Sequence, residues 1–236
     1  MKVSNIINRR EFMIAAAAAA MTLPREVLSS MSVQMKFGWA EFQAEMSQLA
    51  NAHALGDAKN IALESDAVKI LQMLDVNAID FKQALAESYE TGNRYWLWQR
   101  MIKQKNINGG VLTIDNKQMV QLHDHPGATG VVRILSGEAE AWLFDEVKGN
   151  KSESGVAELS RVSRRVLRAG DSAVLTPDKG NIHALKALSK ECSMLDFFIP
   201  PYDKNQRSWF EPLTENWFDM ETISCRKVSQ NAYTKA

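Results

Sequence analysis

The chain has 236 residues, 45% of them hydrophobic and 24% charged, values of a globular protein long enough to bury a sizeable core in one domain with additions or in two small ones. Lys plus Arg and Asp plus Glu both number 28, which excludes the global basic field that draws a chain onto nucleic acid or an anionic membrane. Two cysteines, Cys192 and Cys225, permit at most one internal disulfide and lack CxxC spacing, so a disulfide scaffold is excluded as well.

Residues 1–30 depart from this composition. Asn8-Arg9-Arg10-Glu11-Phe12-Met13 runs into Ile14 and the alanines 15–20, then Met21-Thr22-Leu23-Pro24. A basic stretch before a short apolar one is the form of an export signal, and paired arginines followed by x-Phe resemble a bacterial twin-arginine signal. The apolar stretch is too short for a stable membrane span. Periplasmic or exported localisation is the expectation, against an alanine-rich N-terminal helix on a cytoplasmic protein.

Residues 31–93 have a helical period. Trp39, Phe42, Met46, Leu49 and Ala50 form one apolar stripe. His53 sits just past it as a helix-end residue. Asp66 to Leu74 predicts a second helix, and Asp80-Phe81-Lys82-Gln83 has the form of a capping box opening a third. Thr91-Gly92-Asn93 ends the run, and no chemistry is visible in it.

From residue 94 onward the period changes. Tyr95 to Ile102, Gly110 to Ile114, Lys117 to His123, Thr129 to Leu135, Ala139 to Val147, Ser172 to Leu175, His183 to Leu188 and Cys192 to Ile199 are rich in β-branched and aromatic residues. Turn signals such as Asn108-Gly109-Gly110 and Ser136-Gly137 bound them. This punctuation predicts a jelly-roll sandwich or barrel. Residues 148–165 are polar and are expected to be an excursion between strands, with Arg161, Arg164 and Arg165 on a solvated face or about an anion. Trp209, Phe210, Trp217 and Phe218 are expected in core or lid packing, or at the border of a ligand pocket.

Chemistry concentrates in Gln121-Leu122-His123-Asp124-His125-Pro126-Gly127 and Gly180-Asn181-Ile182-His183, which hold three of the four histidines. On a strand, residues i and i+2 share a face, so His123 and His125 are expected to point the same way, with Asp124 facing away. His183 from another strand closes a set of three imidazoles around one cation. Imidazole suits Fe, Zn, Cu and Ni alike, and zinc hydrolysis by three His plus water stays open. Without a carboxylate ligand a divalent ion keeps its full charge, which favours an anionic substrate such as a thiolate. Asp196 alternates with Met194 and Phe198 on one apolar strand face and requires a partner if buried, either at the site or as a rim ion pair.

His123-Asp124-His125-Pro126-Gly127, Gly130 to Gly137, Leu175-Thr176-Pro177, Asn181-Ile182-His183 and Leu195 to Asp203 together resemble the cupin thiol dioxygenases, in the branch of cysteamine dioxygenase and the plant cysteine oxidases. The resemblance covers about residues 95–210. The generic cupin pattern has a Glu where Thr129 and Gly130 stand; its absence fits this branch, which uses three histidines and no carboxylate. The resemblance implies a mainly β fold, a cupin jelly-roll barrel over residues 94–236 behind the helical region. It also implies Fe(II) held by His123, His125 and His183, with O2 and a thiol of the cysteamine, cysteine or peptide N-terminal cysteine type as substrates and a sulfinate as product. Asp196 is then a substrate-orienting group and Tyr202, after Pro200-Pro201, brings a phenol to the site. Ala128 stands where relatives often carry Met, and Cys225 has no matching Tyr for a crosslink. A non-catalytic metal-binding cupin that binds or senses a small molecule is the alternative function, and a zinc or nickel cupin of another reaction class a further one.

Overall fold

A computed structural model of the chain describes residues 36–56, 62–92, 97–116, 118–147, 155–203 and 206–229. The twin-arginine-like segment lies outside the described residues, as do the expected starts of the helical region at residue 31 and of the first strand at Tyr95, and the polar stretch 148–154.

Among the described residues three helices come first: α1 (Trp39–Ala54), α2 (Leu63–Met73) and α3 (Ile79–Thr91). Trp39, Phe42, Met46 and Ala50 are the buried residues of α1, as their three- and four-residue spacing predicts. His53 lies in its last turn. Asp80 does not box its own helix. The N-cap of α3 is Ala78, with no side-chain cap bond, and the Asp80 carboxylate accepts from the backbone N–H of Trp39 at 2.7 Å instead. The physical reason is at α1: its N-cap is Gly38, which has no side chain to satisfy the exposed N–H groups of the first turn. A carboxylate from another helix does that work.

Eleven strands follow among the described residues: β1 (Trp98–Lys103), β2 (Asn108–Asp115), β3 (Met119–His123), β4 (Thr129–Ser136), β5 (Glu138–Glu146), β6 (Val156–Arg168), β7 (Ser172–Leu175), β8 (Ile182–Ala187), β9 (Glu191–Ile199), β10 (Trp209–Pro212) and β11 (Thr222–Val228). One sheet has the order β1-β2-β9-β4-β7; the other closes on itself as β10-β11-β6-β5-β8-β3. This is a mainly β cupin jelly roll with an α-helical layer before it. These strands pair antiparallel to one another.

β6 corrects the expected excursion. From Val156 the chain is a strand of 13 residues, and its polarity is neutralised across neighbouring elements. Arg164 meets Glu140 of β5 at 2.6 Å and Asp219 at 2.7 Å, Arg168 meets Glu138 of β5 at 2.9 Å, and Arg161 pairs with Glu221. Opposite charges on facing strands stabilise pairing as apolar pairs do, while Ala157, Leu159 and Leu167 are buried. β10 and β11 are likewise strands that alternation alone did not mark. Phe210 and Trp217 pack in the core of the closed sheet with Trp142, Phe144 and Ile223.

Packing divides by strand face. On β9, Leu195, Phe197 and Ile199 pack against the helices together with Phe42, Met46 and Leu71. Its other face gives Cys192 and Met194 to a cluster that joins both sheets, with Leu112, Ile134, Leu167, Leu185 and Ala187. Arg133 of β4 ties helix to sheet: its Nη1 donates to the carbonyls of Leu71 at 2.7 Å and Leu74 at 3.0 Å, satisfying acceptors at the C-terminal end of α2. Among the described residues no helix is long and apolar enough to cross a membrane.

Candidate metal centre

His183 comes from β8, where alternation puts it on the face of Leu185 and Ala187, both in the inter-sheet cluster. His123 ends β3 directly opposite His183, and opposite Trp209 of β10. An irregularity between Val120 and His123 breaks simple alternation along β3. His125 therefore does not reach the site by sharing a strand face with His123, because β3 has already ended. A turn and a clamp deliver it. Pro126 supplies the fixed φ of the first turn position and Gly127, at φ 74°, the left-handed second one; the Ala128 N–H closes the turn onto the His125 carbonyl at 3.1 Å. Asn181 grips the same residue twice: its Oδ1 accepts from His125 N–H at 2.6 Å and its Nδ2 donates to the His125 carbonyl at 3.2 Å.

The result is three buried histidines whose candidate ligand atoms all lie within 4.8 Å of one another. No Asp, Glu or Cys joins the group among the described residues. Nδ1 of His123 lies 2.7 Å from the Gln121 carbonyl and Nδ1 of His183 lies 3.4 Å from the Asn181 carbonyl. A carbonyl can only accept, so Nδ1 carries the hydrogen and Nε2 keeps its lone pair, the arrangement of imidazoles that hold a metal. Burial is the largest cause lowering all three pKa values, His183 to about 4, and the neighbouring imidazoles and Arg207 add to it for His123 and His125. At neutral pH the three imidazoles are uncharged, and the Nε2 lone pairs that His123 and His183 keep fit a divalent cation.

Around the histidines stand residues from the far end of the chain. Phe198 of β9 lies against His125 with ring centroids 4.3 Å apart, and Tyr202, three residues past the cis Ile199–Pro200 bond, stands edge-on to His125 at 4.4 Å. Trp209 stacks on His123 at 4.9 Å. Asp196 lies on the same β9 face as Met194 and Phe198, opposite Val132 and Gly110. Burial raises its carboxyl to about 7, against the opposing pull of Arg207. Asp124 faces elsewhere: its Oδ1 accepts from Ser208 N–H at 2.7 Å, which fastens the segment before β10 to the histidine motif. Cys192 and Cys225 are both buried free thiols in separate clusters, pushed by burial up to about 11 and about 12, and so stay protonated and inert.

Of three further neighbours, Asn181 and Arg207 carried no role from the sequence, while Trp209 was expected in packing or at a pocket border. Asn181 stood inside a motif without a task, and Trp209 was one of four aromatics grouped together. Arg207 carried no signal at all. Its guanidinium lies over the Tyr202 ring at 4.9 Å and the Trp209 ring at 5.5 Å, donates to the Tyr202 hydroxyl, and lies 3.5 Å from His125 Nδ1.

Comparison with known proteins adds relatives to this geometry. The family model PCO_ADO matches residues 68–229. The chain is similar to a probable 2-aminoethanethiol dioxygenase of Dictyostelium discoideum, 20% identical over 62% of this chain and 69% of that protein. It is also similar to the 2-aminoethanethiol dioxygenase of Mus musculus, 25% identical over 64% of this chain and 66% of that protein. The matches thus span about two thirds of the length of these relatives. Among solved structures, an uncharacterized conserved protein with a double-stranded beta-helix domain from Klebsiella pneumoniae is 19% identical, with a TM-score of 0.36 over 49% of this chain and 81% of that one.

Proposed function

We propose, from the premise that this chain belongs to the PCO_ADO family, that it is an iron-dependent thiol dioxygenase. The reaction joins a thiol of the cysteamine, cysteine or peptide N-terminal cysteine type with O2 to give the sulfinate. Sulfur gives up four electrons, O2 takes them, and both oxygen atoms end on sulfur. One observation carries the reading: three buried, uncharged imidazoles converge with no carboxylate among them.

His123, His125 and His183 would hold the ion, and Fe(II) when bound would supply the redox chemistry and the charge that favours thiolate over thiol. The rest is done by the chain. Asn181 and the Pro126–Gly127 turn fix His125, and the carbonyls of Gln121 and Asn181 set the tautomers of His123 and His183. Asp196 offers a carboxylate to the amine of an aminothiol, which orients the sulfur end. Phe198, Tyr202 and Trp209 wall the histidines with rings, which limits water at the reacting sulfur. We also propose that residues 1–30 direct export by the twin-arginine route, on the strength of Arg9-Arg10 before the alanine run; finding Met1 intact on protein confined to the cytoplasm would refute it.

The test is metal analysis followed by oxygen uptake with cysteine, cysteamine, 3-mercaptopropionate and peptides that begin with Cys, under Fe(II). Uptake with one sulfinate formed per O2 supports the reading. Thiol binding without uptake turns it to the non-catalytic binding or sensing cupin, and uptake supported by zinc or nickel alone would overturn iron.

A further inference from the structure

The Tyr202 hydroxyl has one hydrogen-bond partner among the described residues, Arg207. A guanidinium can only donate, so it occupies a lone pair of the phenol oxygen and leaves the phenol hydrogen without an acceptor among the described residues. Tyr202 itself stands edge-on to His125 at 4.4 Å and to Phe198 at 4.9 Å. The one unspent donor on that ring is therefore beside the three histidines.

Arg207 is held for this task from several sides. Its guanidinium lies over the rings of Tyr202 and Trp209, 4.9 and 5.5 Å from their centroids, and Trp209 in turn stacks on His123. The next residue, Ser208, is tied to Asp124 by two bonds, N–H to Oδ1 at 2.7 Å and carbonyl to the Asp124 N–H at 3.1 Å. Asp124 is the residue between His123 and His125, so the motif that would carry the metal also anchors the arginine. The guanidinium faces Asp196 and Asp124 through space, and its buried Nε finds no partner among the described residues. Burying this charge costs stability, and packing alone would be served better by an uncharged side chain.

We infer that Arg207 is a positioning residue: by donating to the Tyr202 oxygen it locks the phenol against His125 and turns its hydrogen toward whatever is bound at the histidines. Under the thiol dioxygenase reading, on which the identity of the acceptor rests, that hydrogen bond goes to the substrate as negative charge moves from sulfur onto oxygen. Arg207 acts on the substrate through Tyr202; its other contact, Nη2 at 3.5 Å from His125 Nδ1, is to the imidazole and not to the reacting atoms.

The test compares the full-length iron-loaded protein with Arg207→Met, Arg207→Lys, Tyr202→Phe and the double variant Arg207→Met/Tyr202→Phe. Arg207→Met and Tyr202→Phe should each lower kcat on the order of 100-fold, the cost of removing one preorganised donor, with iron content unchanged. The double variant should lose no more than the worse single one, since both changes remove the same bond. Arg207→Lys, which keeps a cationic donor, should recover most of the rate lost in Arg207→Met. Losses that multiply in the double variant, or a Lys variant no better than the Met one, would overturn the inference. Crystal structures of the wild type and Arg207→Met decide the same point without turnover: Tyr202 should leave His125 in the variant, and a ring that stays in place would overturn the positioning role. If the wild type oxidises no thiol, the functional reading falls while these structures still judge Arg207.

Discussion

β8 and β9 each run from a dry end to a chemical one along a single face. At one end Leu185 and Ala187 of β8 and Cys192 and Met194 of β9 join Leu112, Ile134 and Leu167 in an apolar cluster between the sheets. A few residues further along the same faces stand His183 on β8, and Asp196 and Phe198 on β9. The two ends share backbone geometry and differ in what burial does. At the apolar end burial is the gain. At the other end it strips water from three imidazoles, a carboxyl and a guanidinium, a cost that a binding site turns to use and a mere core would not. One end should hold stability without function, and the other function at some expense of stability.

Replacing one residue at each end tests that division. His183→Ala is expected to have the largest effect on function, abolishing iron retention and thiol turnover, while thermal unfolding of the metal-free protein shows no large loss. Metal analysis and calorimetry on the same sample read both. Retained iron with full turnover would remove His183 from the ligand set. Met194→Ala, at 0% exposure, should do the reverse and lower stability by about 2–5 kcal/mol, read by urea unfolding, with iron still bound below the transition. If Met194→Ala lost iron at unaltered stability, the two ends would not be separable.

The sequence showed more of the fold than of the site's supports. β7 has the bounds that its turn signals predict, Ser172–Leu175, because each end is marked by local chemistry. β6 escaped because alternation assumes that a strand's outward residues are merely solvated; here they are arginines neutralised by Glu138, Glu140, Asp219 and Glu221, and that neutralisation exists only after folding. Asp80 misled for the same reason, since its partner Trp39 lies 41 residues away. The histidines were legible through rarity and spacing, although the strand argument named the wrong device for His125. Asn181 and Arg207 reach His125 from 56 and 82 residues away, distances at which no local period carries information.

Asn181 permits a finer test of the chemical end, because it touches His125 through backbone only. Asn181→Ala should leave all three imidazoles present yet weaken iron binding by about 10- to 100-fold, the usual cost of losing a group that orients a ligand. Competition with a chelator of known affinity measures it. An unchanged affinity would show that the Pro126–Gly127 turn places His125 alone.

The smallest effect is expected in the pH dependence of the metal-free protein, where the chemical end pulls in two directions. His183 is held down from 6.5 to about 4, and His123 and His125 well below 6.5. The unfolded chain therefore binds more protons than the folded one in that window, and the histidines' contribution is lost as pH falls through it. Asp196 is pushed up from 3.8 to about 7, so the folded chain is the one that holds the extra proton there. Its contribution is complete below 3.8 and is lost as pH rises through about 7. The two oppose each other from about 4 to 6.5, and above 6.5 only Asp196 acts. Asp196→Asn, which cannot ionise, should abolish the small decline in melting temperature just above pH 6.5 and steepen the rise below it. A decline that survives the substitution would mean that Asp196 already finds its compensating charge in Arg207, and that the acid and the arginine share one buried ion pair beside the histidines.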